Sequence, residues 1–199
     1  MKTLDKTTDE IKNEILDAAF TRFGQYGFGK TTMAEIARDC DMSAGNLYRY
    51  YESKVDIVAG CSERCFAQKE ELLREVLRRQ GLSAPKRLEA FVLETLRYMF
   101  DQFSQHPLLF ELVRFISEER MDLVEGHLKK QCSLLAEILA EGNKAEEFDV
   151  PDVLYTAQMI QAATLKFNAP HFMNMFSLQQ MEKEAQGVVQ LIVSGLAKH

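Results

Sequence analysis

The stretch KTTMAEIARDCDMSAGNLYRYYESKVDIV, residues 30–58, gathers side chains suited to reading a polyanionic duplex. Asn46 and Arg49 carry the donor and acceptor patterns that match adenine and guanine edges when the contact is bidentate. Tyr48 and Tyr50 offer hydroxyls to phosphate, and Lys54 offers an ammonium. Thr31 and Thr32 stand where a helix begins, beside free N–H groups and the positive end of the helix dipole. Ser43 opens the next short helix, and Ala44 and Gly45 after it are small enough to let another backbone approach closely.

Two short helices about four residues apart are needed to hold these groups, which is the layout of a helix-turn-helix. Thr32-Met33-Ala34-Glu35 has the capping-box form, a hydroxyl followed three residues later by a carboxylate, and opens the first of them. Ser43 caps the second, and Ser53 with Asp56 opens a longer helix over about 54–80. Ile36, Ala37, Met42 and Leu47 supply the apolar crossing, where a side chain larger than Ala37 would force the helices apart. A further capping box, Thr7 to Glu10, precedes Ile11, Ile15, Ala19 and Phe23 at helical spacing and predicts a helix over about 9–26. In the motif Lys30, Arg38, Arg49 and Lys54 are balanced by Glu35, Asp39, Asp41 and Glu52. DNA affinity therefore depends on where the acids point and on doubling by dimerisation.

This segment resembles the TetR family of repressors. The resemblance rests on Thr32, Ile36-Ala37, Cys40-Asp41-Met42-Ser43, Gly45, Leu47-Tyr48, Tyr50-Tyr51 and Lys54, with Ala18-Ala19-Phe20, Phe23, Gly27 and Phe28 before them. Asp41 replaces the family's turn glycine; Asp enters the left-handed region more readily than most residues. Tyr50 stands where the family often has His. The resemblance implies a homodimer that binds a near-palindromic double-stranded DNA operator through its N-terminal domain. It also implies a helical second domain that dimerises and binds a small-molecule effector.

The rest of the chain reads as helices over about 85–104, 107–118, 120–142, 151–168 and 178–197, with Pro85, Pro107 and Pro151 at first helical positions. Residues 142–147 read as an exposed turn, and Pro170 as a corner. The expected fold is all-α: a three-helix DNA-binding domain over 1–53, then a regulatory and dimerisation domain over 54–199. Phe and Met are used heavily in the second domain, and such soft side chains suit an apolar or amphipathic ligand. Met99, Phe103, Phe110, Met159 and Phe167 are the expected pocket. Ile160 and Ala163 (with Ala157 and Thr164), then Val188, Leu191, Ile192 and Gly195, are the expected dimer interface.

The net charge of −6 argues against a chain that coats nucleic acid without specificity, but not against one local DNA-binding surface. Four cysteines, Cys40, Cys61, Cys65 and Cys132, form no C-x-x-C pair and read as reduced thiols. Cys61 and Cys65 lie four apart at the spacing of one helix face, where burial is a commoner role for cysteine than redox sensing. His106, His127, His171 and His199 have no partner at ligand spacing, so no metal and no cofactor are expected. Neither a nucleophile elbow, a zinc-protease motif nor a phosphate loop is present, so no catalysis is expected. A polar N-terminus and the lack of a long apolar run predict a cytoplasmic protein with no membrane partner. The alternative reading is a helical protein-interaction or small-molecule-binding module without DNA binding.

Overall fold

The computed structural model describes residues 6–104 and 106–197; His199 lies outside them. Among the described residues there are nine α-helices and no β-strand beyond one isolated bridge, Phe148 to Ala197. No helix among them is long and apolar enough to cross a membrane.

The chain folds as two compact units, Met1–Cys65 with His106–Leu123, and Phe66–Gln105 with Val124–His199. The first unit holds α1 (Thr8–Tyr26), α2 (Met33–Asp39), α3 (Ala44–Leu47), the start of α4 (Lys54–Arg78), and α6 (Phe110–Glu119), which a 3-10 turn at Pro107–Leu109 precedes. The expected caps form: Thr7 with Glu10, and Thr32 with Glu35, each as a reciprocal box, and Ser43 accepting from Asn46 N–H. Asp41 adopts φ 54°, the left-handed turn that its side chain tolerates. Ile15, Phe23, Ile36, Leu47 and Ile57 are fully buried and tie α1 to the helix-turn-helix.

The linear division at 53/54 does not follow these contacts. His106–Leu123 belongs with the N-terminal helices because Phe115 packs on Phe28 with centroids 4.6 Å apart, and the Glu111 carboxylate accepts from Gly29 N–H at 3.4 Å. Phe110, expected in the pocket, therefore lies in the first unit.

The second unit holds the rest of α4, α5 (Ala84–Phe103), most of α7 (Met121–Lys144), α8 (Val153–Ala163) and α9 (Leu178–Leu196), with 3-10 turns at Leu165–Phe167 and Pro170–Asn174. Its core runs through Leu73, Leu88, Leu96, Leu134, Ile138, Ala157 and Met181. Three expectations are corrected here. Gly142 is no exposed turn: α7 continues through it, and an added Cβ would come 2.2 Å from Phe148 Cδ2. Pro151 precedes α8 rather than opening it, because the Asp152 carboxylate caps the helix by accepting from Tyr155 N–H. That helix also stops at Ala163 instead of reaching 168, where the Thr164 hydroxyl donates to Ile160 C=O at 2.7 Å and the chain tightens into a 3-10 turn.

Candidate nucleic-acid interface and effector cavity

In the first unit the α-helical part of the second motif helix is only Ala44–Leu47, and the chain then continues in tight turns to Tyr51. Leu47 is buried beneath it, while Ser43, Gly45, Tyr48 and Arg49 are exposed and Ala44, Asn46 and Tyr50 are half-buried. One small face thus presents both base-reading candidates, Asn46 and Arg49. An added Cβ at Gly45 would meet nothing within 4 Å, so the fold itself does not require glycine there. The open position leaves room for an external backbone.

The acids of the motif are partly neutralised from outside it. Arg22 on α1 donates to Asp39 at 2.5 Å and lies 3.5 Å from Glu35. These contacts hold the Asp39 carboxyl below its ordinary range, with the Arg22 hydrogen bond the leading cause. Glu35 is held low first by its hydrogen bonds to Thr32. The even charge count of the segment therefore understates how cationic the region around α3 is, because two of its four acids are already engaged.

Two expected phosphate contacts are placed otherwise. Thr31 is 1% exposed and its hydroxyl donates to Gly27 C=O at 2.9 Å, so it closes the turn after α1 rather than facing outward. Lys54 donates to the carbonyls of Phe28 and Thr31, both at 2.7 Å, and its ammonium sits 4.1 Å from the Phe28 ring centroid. Burial pushes this ammonium below the usual lysine range, with Glu111 and Glu35 opposing. Lys54 is thus a staple between α4 and the 28–31 turn. Thr32 is exposed, but its hydroxyl is spent in the capping box, donating to Glu35 at 2.8 Å. Lys54→Met should lower unfolding stability by about 1–3 kcal/mol, because two backbone carbonyls lose a charged donor. Denaturant titration of wild type and variant checks this, and equal midpoints would return Lys54 to the solvent.

In the second unit a cavity of about 310 Å³, its open mouth included, lies among α5, α7, α8 and the turn that follows α8. Phe91, Val92, Leu135 and Phe167 form its apolar wall. Of the five pocket residues expected from sequence, Phe167 alone lines it. Met99 is buried in the adjacent core, Phe103 packs half-buried against that core, and Met159 is 46% exposed on the outer face of α8.

Sequence reasoning missed the polar wall. Thr95, Gln161 and Thr164 each donate inward to a helix carbonyl: Phe91, Leu128 and Ile160 respectively. The other two polar groups are amides. Lys69, 4% exposed, donates to Asn168 Oδ1 at 2.9 Å, and Asn168 Nδ2 donates to Gln131 Oε1 at 3.0 Å. Gln131 Nε2 is buried without a partner. These polar residues sit among hydrophobic ones at helical spacing, so only their isolated polarity within apolar runs could have marked them.

The expected interface residues also divide. Ala157 and Ile160 are buried inside their own unit, while Ala163, Leu191 and Gly195 are exposed and Val188 and Ile192 pack half-buried on the core. The outward face of α8 instead carries Leu154, Tyr155 and Met159, and Leu191 on α9 is 76% exposed. All four side chains are open to solvent in the single chain. Cys61 is buried, with its thiol donating to Leu16 C=O at 3.6 Å and burial pushing its pKa up to about 12, which disfavours a reactive thiolate. Among the described residues no group of three or more His, Cys, Asp or Glu could hold a metal.

Comparison with known proteins places this geometry among bacterial regulators. The family model "Bacterial regulatory proteins, tetR family" matches residues 15–61, and "Tetracyclin repressor-like, C-terminal domain" matches residues 84–189. IcaR of Staphylococcus epidermidis, a negative transcriptional regulator of the biofilm operon icaADBC, is 32% identical over 56 residues, which span 28% of this chain and 30% of that protein. A transcriptional regulator from Cytophaga hutchinsonii has the same fold, with a TM-score of 0.70 at 20% identity over 94% of this chain and 98% of its own. FadR of Bacillus subtilis, solved with stearoyl-CoA, superposes with a TM-score of 0.66 at 18% identity, covering 92% and 98% of the two chains.

Proposed function

The chain belongs to the TetR family of bacterial regulatory proteins, and from that premise we propose that it is a ligand-responsive transcriptional repressor. It binds a near-palindromic operator as a homodimer and leaves it when a small apolar or amphipathic effector binds. The observation that carries the DNA-binding reading is the segment of α3 and the turn after it, where Asn46, Tyr48 and Arg49 follow a glycine that the fold does not require. Tyr48 and Tyr50 serve phosphate, and Asn46 and Arg49 read bases. Dimerisation through the apolar faces of α8 and α9 doubles an interface that one copy makes too small. The cavity in the second unit is the effector site in this reading; FadR's stearoyl-CoA supports an effector with apolar bulk. Nothing in the reading requires catalysis, and the protein works in the cytoplasm, where its DNA is.

A labelled duplex from upstream of the protein's own gene, titrated against wild type and Arg49→Ala, tests the proposal. Wild type should bind with steep salt dependence. Arg49→Ala should lose about 1–3 kcal/mol at one contacted base pair and tolerate substitutions there. A uniform loss across operator variants would reduce Arg49 to a phosphate contact. No saturable binding to any duplex would leave the ligand-binding module without DNA as the better reading.

A further inference from the structure

The polar wall of the cavity has a defined polarity, set from its buried end. An ammonium only donates, so Lys69 requires the oxygen of the Asn168 amide to face it, 2.9 Å away. That choice turns Asn168 Nδ2 toward Gln131, where it can only donate, at 3.0 Å. Gln131 must then present Oε1 to Asn168, which leaves Nε2 as the group without a partner. Neither amide can flip without setting two donors or two acceptors against each other. The relay thus leaves a hydrogen-bond donor, and not an acceptor, unmade on a residue that lines the cavity beside Phe91, Val92, Leu135 and Phe167. Gln131 is 3% exposed, so water reaches it poorly, and a buried donor left unmade is costly.

We propose that this cavity selects small amphipathic ligands that present an acceptor oxygen, a carbonyl or a carboxylate, to Gln131 Nε2. This rests on the cavity being the effector site. The oxygen takes the orphan hydrogen bond, and the ligand's apolar body covers the Phe and Leu wall. Thr95 and Thr164 each spend their single hydroxyl hydrogen on a helix carbonyl, and Gln161 donates to Leu128 C=O, so the two hydroxyls offer the ligand no competing donor. The space of about 310 Å³ includes the open mouth, so only a compact head or a short molecule is enclosed at this position. The ligand's oxygen also reports directly to α4, because Lys69, at the far end of the relay, belongs to that helix.

Three six-carbon probes of matched length test the proposal on the full chain: hexanoate, 2-hexanone and hexylamine, each followed by calorimetry and by the Gln131 side-chain amide resonances. Wild type should bind the two oxygen probes at least about tenfold more tightly than the amine, a ratio that one hydrogen bond accounts for. Gln131→Met should erase that ratio, and Gln131→Glu, which replaces the donor by an acceptor, should invert it. Circular dichroism and thermal melting establish that each variant is folded, and the conservative Gln131→Met keeps the test open should Gln131→Glu not fold. Absence of binding by both oxygen probes at millimolar concentration overturns the proposal, as does a ratio that survives Gln131→Met. Operator titrations run on the same samples separate the two readings: intact DNA binding beside a failed probe result removes only the ligand class, whereas lost operator binding by wild type removes the regulator.

Discussion

Leu191→Glu should leave a folded protomer that sediments as a monomer and binds operator DNA about 10²–10⁴-fold more weakly than wild type. Leu191 is 76% exposed, so a carboxylate there costs one copy little; surface changes of this kind usually stay within about 0.5 kcal/mol. The consequence in a dimer is different. Leu154, Tyr155 and Met159 are exposed on α8 just as Leu191 is on α9. If these faces meet their twofold mates, as in the helix-bundle interfaces that such apolar stripes form, the carboxylate introduced in each copy is driven out of water without a partner. Operator affinity falls with the dimer because the second recognition unit no longer binds at the effective concentration its tethering provides. Sedimentation velocity reads the first effect and fluorescence anisotropy the second. A variant that stays dimeric with unchanged affinity would place the interface elsewhere.

The second large effect is acid lability centred on His127. Its ring is buried, stacked on Phe66 at 4.2 Å and 8°, and neither ring nitrogen has a hydrogen-bond partner. Burial, then the charges of Lys69 and Lys130, lowers its pKa from 6.5 to about 3. The unfolded chain therefore binds a proton near pH 6.5 that the folded chain refuses until about pH 3. His127 is neutral at no penalty above pH 6.5, and its contribution to stability is lost progressively as pH falls from there toward 3. The slope is about 1.4 kcal/mol per pH unit, so the loss by pH 5 is about 2 kcal/mol. His127→Phe preserves the aromatic stack and should abolish that part of the slope, leaving the two proteins closest in stability near neutrality. Denaturant midpoints measured between pH 8 and pH 4.5 decide it. Parallel curves for wild type and variant would mean that the ring is solvated or protonated in the native state.

Local rules carried far in this chain. The caps at Thr7, Thr32 and Ser43 connect groups three residues apart, and the left-handed turn at Asp41 depends on that residue alone, so both are readable without the fold. The same holds for the exposed Tyr48 and Arg49 and the half-buried Asn46, because a four-residue helix with Leu47 turned inward leaves little choice about its neighbours.

Other roles had no local signature. Lys54 looks like a free cation until the carbonyls of Phe28 and Thr31, more than twenty residues earlier, are brought to its ammonium. Arg22 lies outside the motif whose acids it neutralises. Helical periodicity groups Ala157 with Ile160 and Tyr155 with Met159, but it cannot say which group its own unit covers and which is left for a second copy, since both demand only an apolar neighbour. The relay from Lys69 through Asn168 to Gln131 joins residues 99 and 37 positions apart, and the direction of its last hydrogen bond follows from the first. Sequence thus determined the helices, their caps and the chemistry offered on α3, because those depend on neighbours along the chain. Only packing decided which charges are spent, which apolar face is open and which way the cavity's amide points, because each of those depends on a group that the chain brings back from far away.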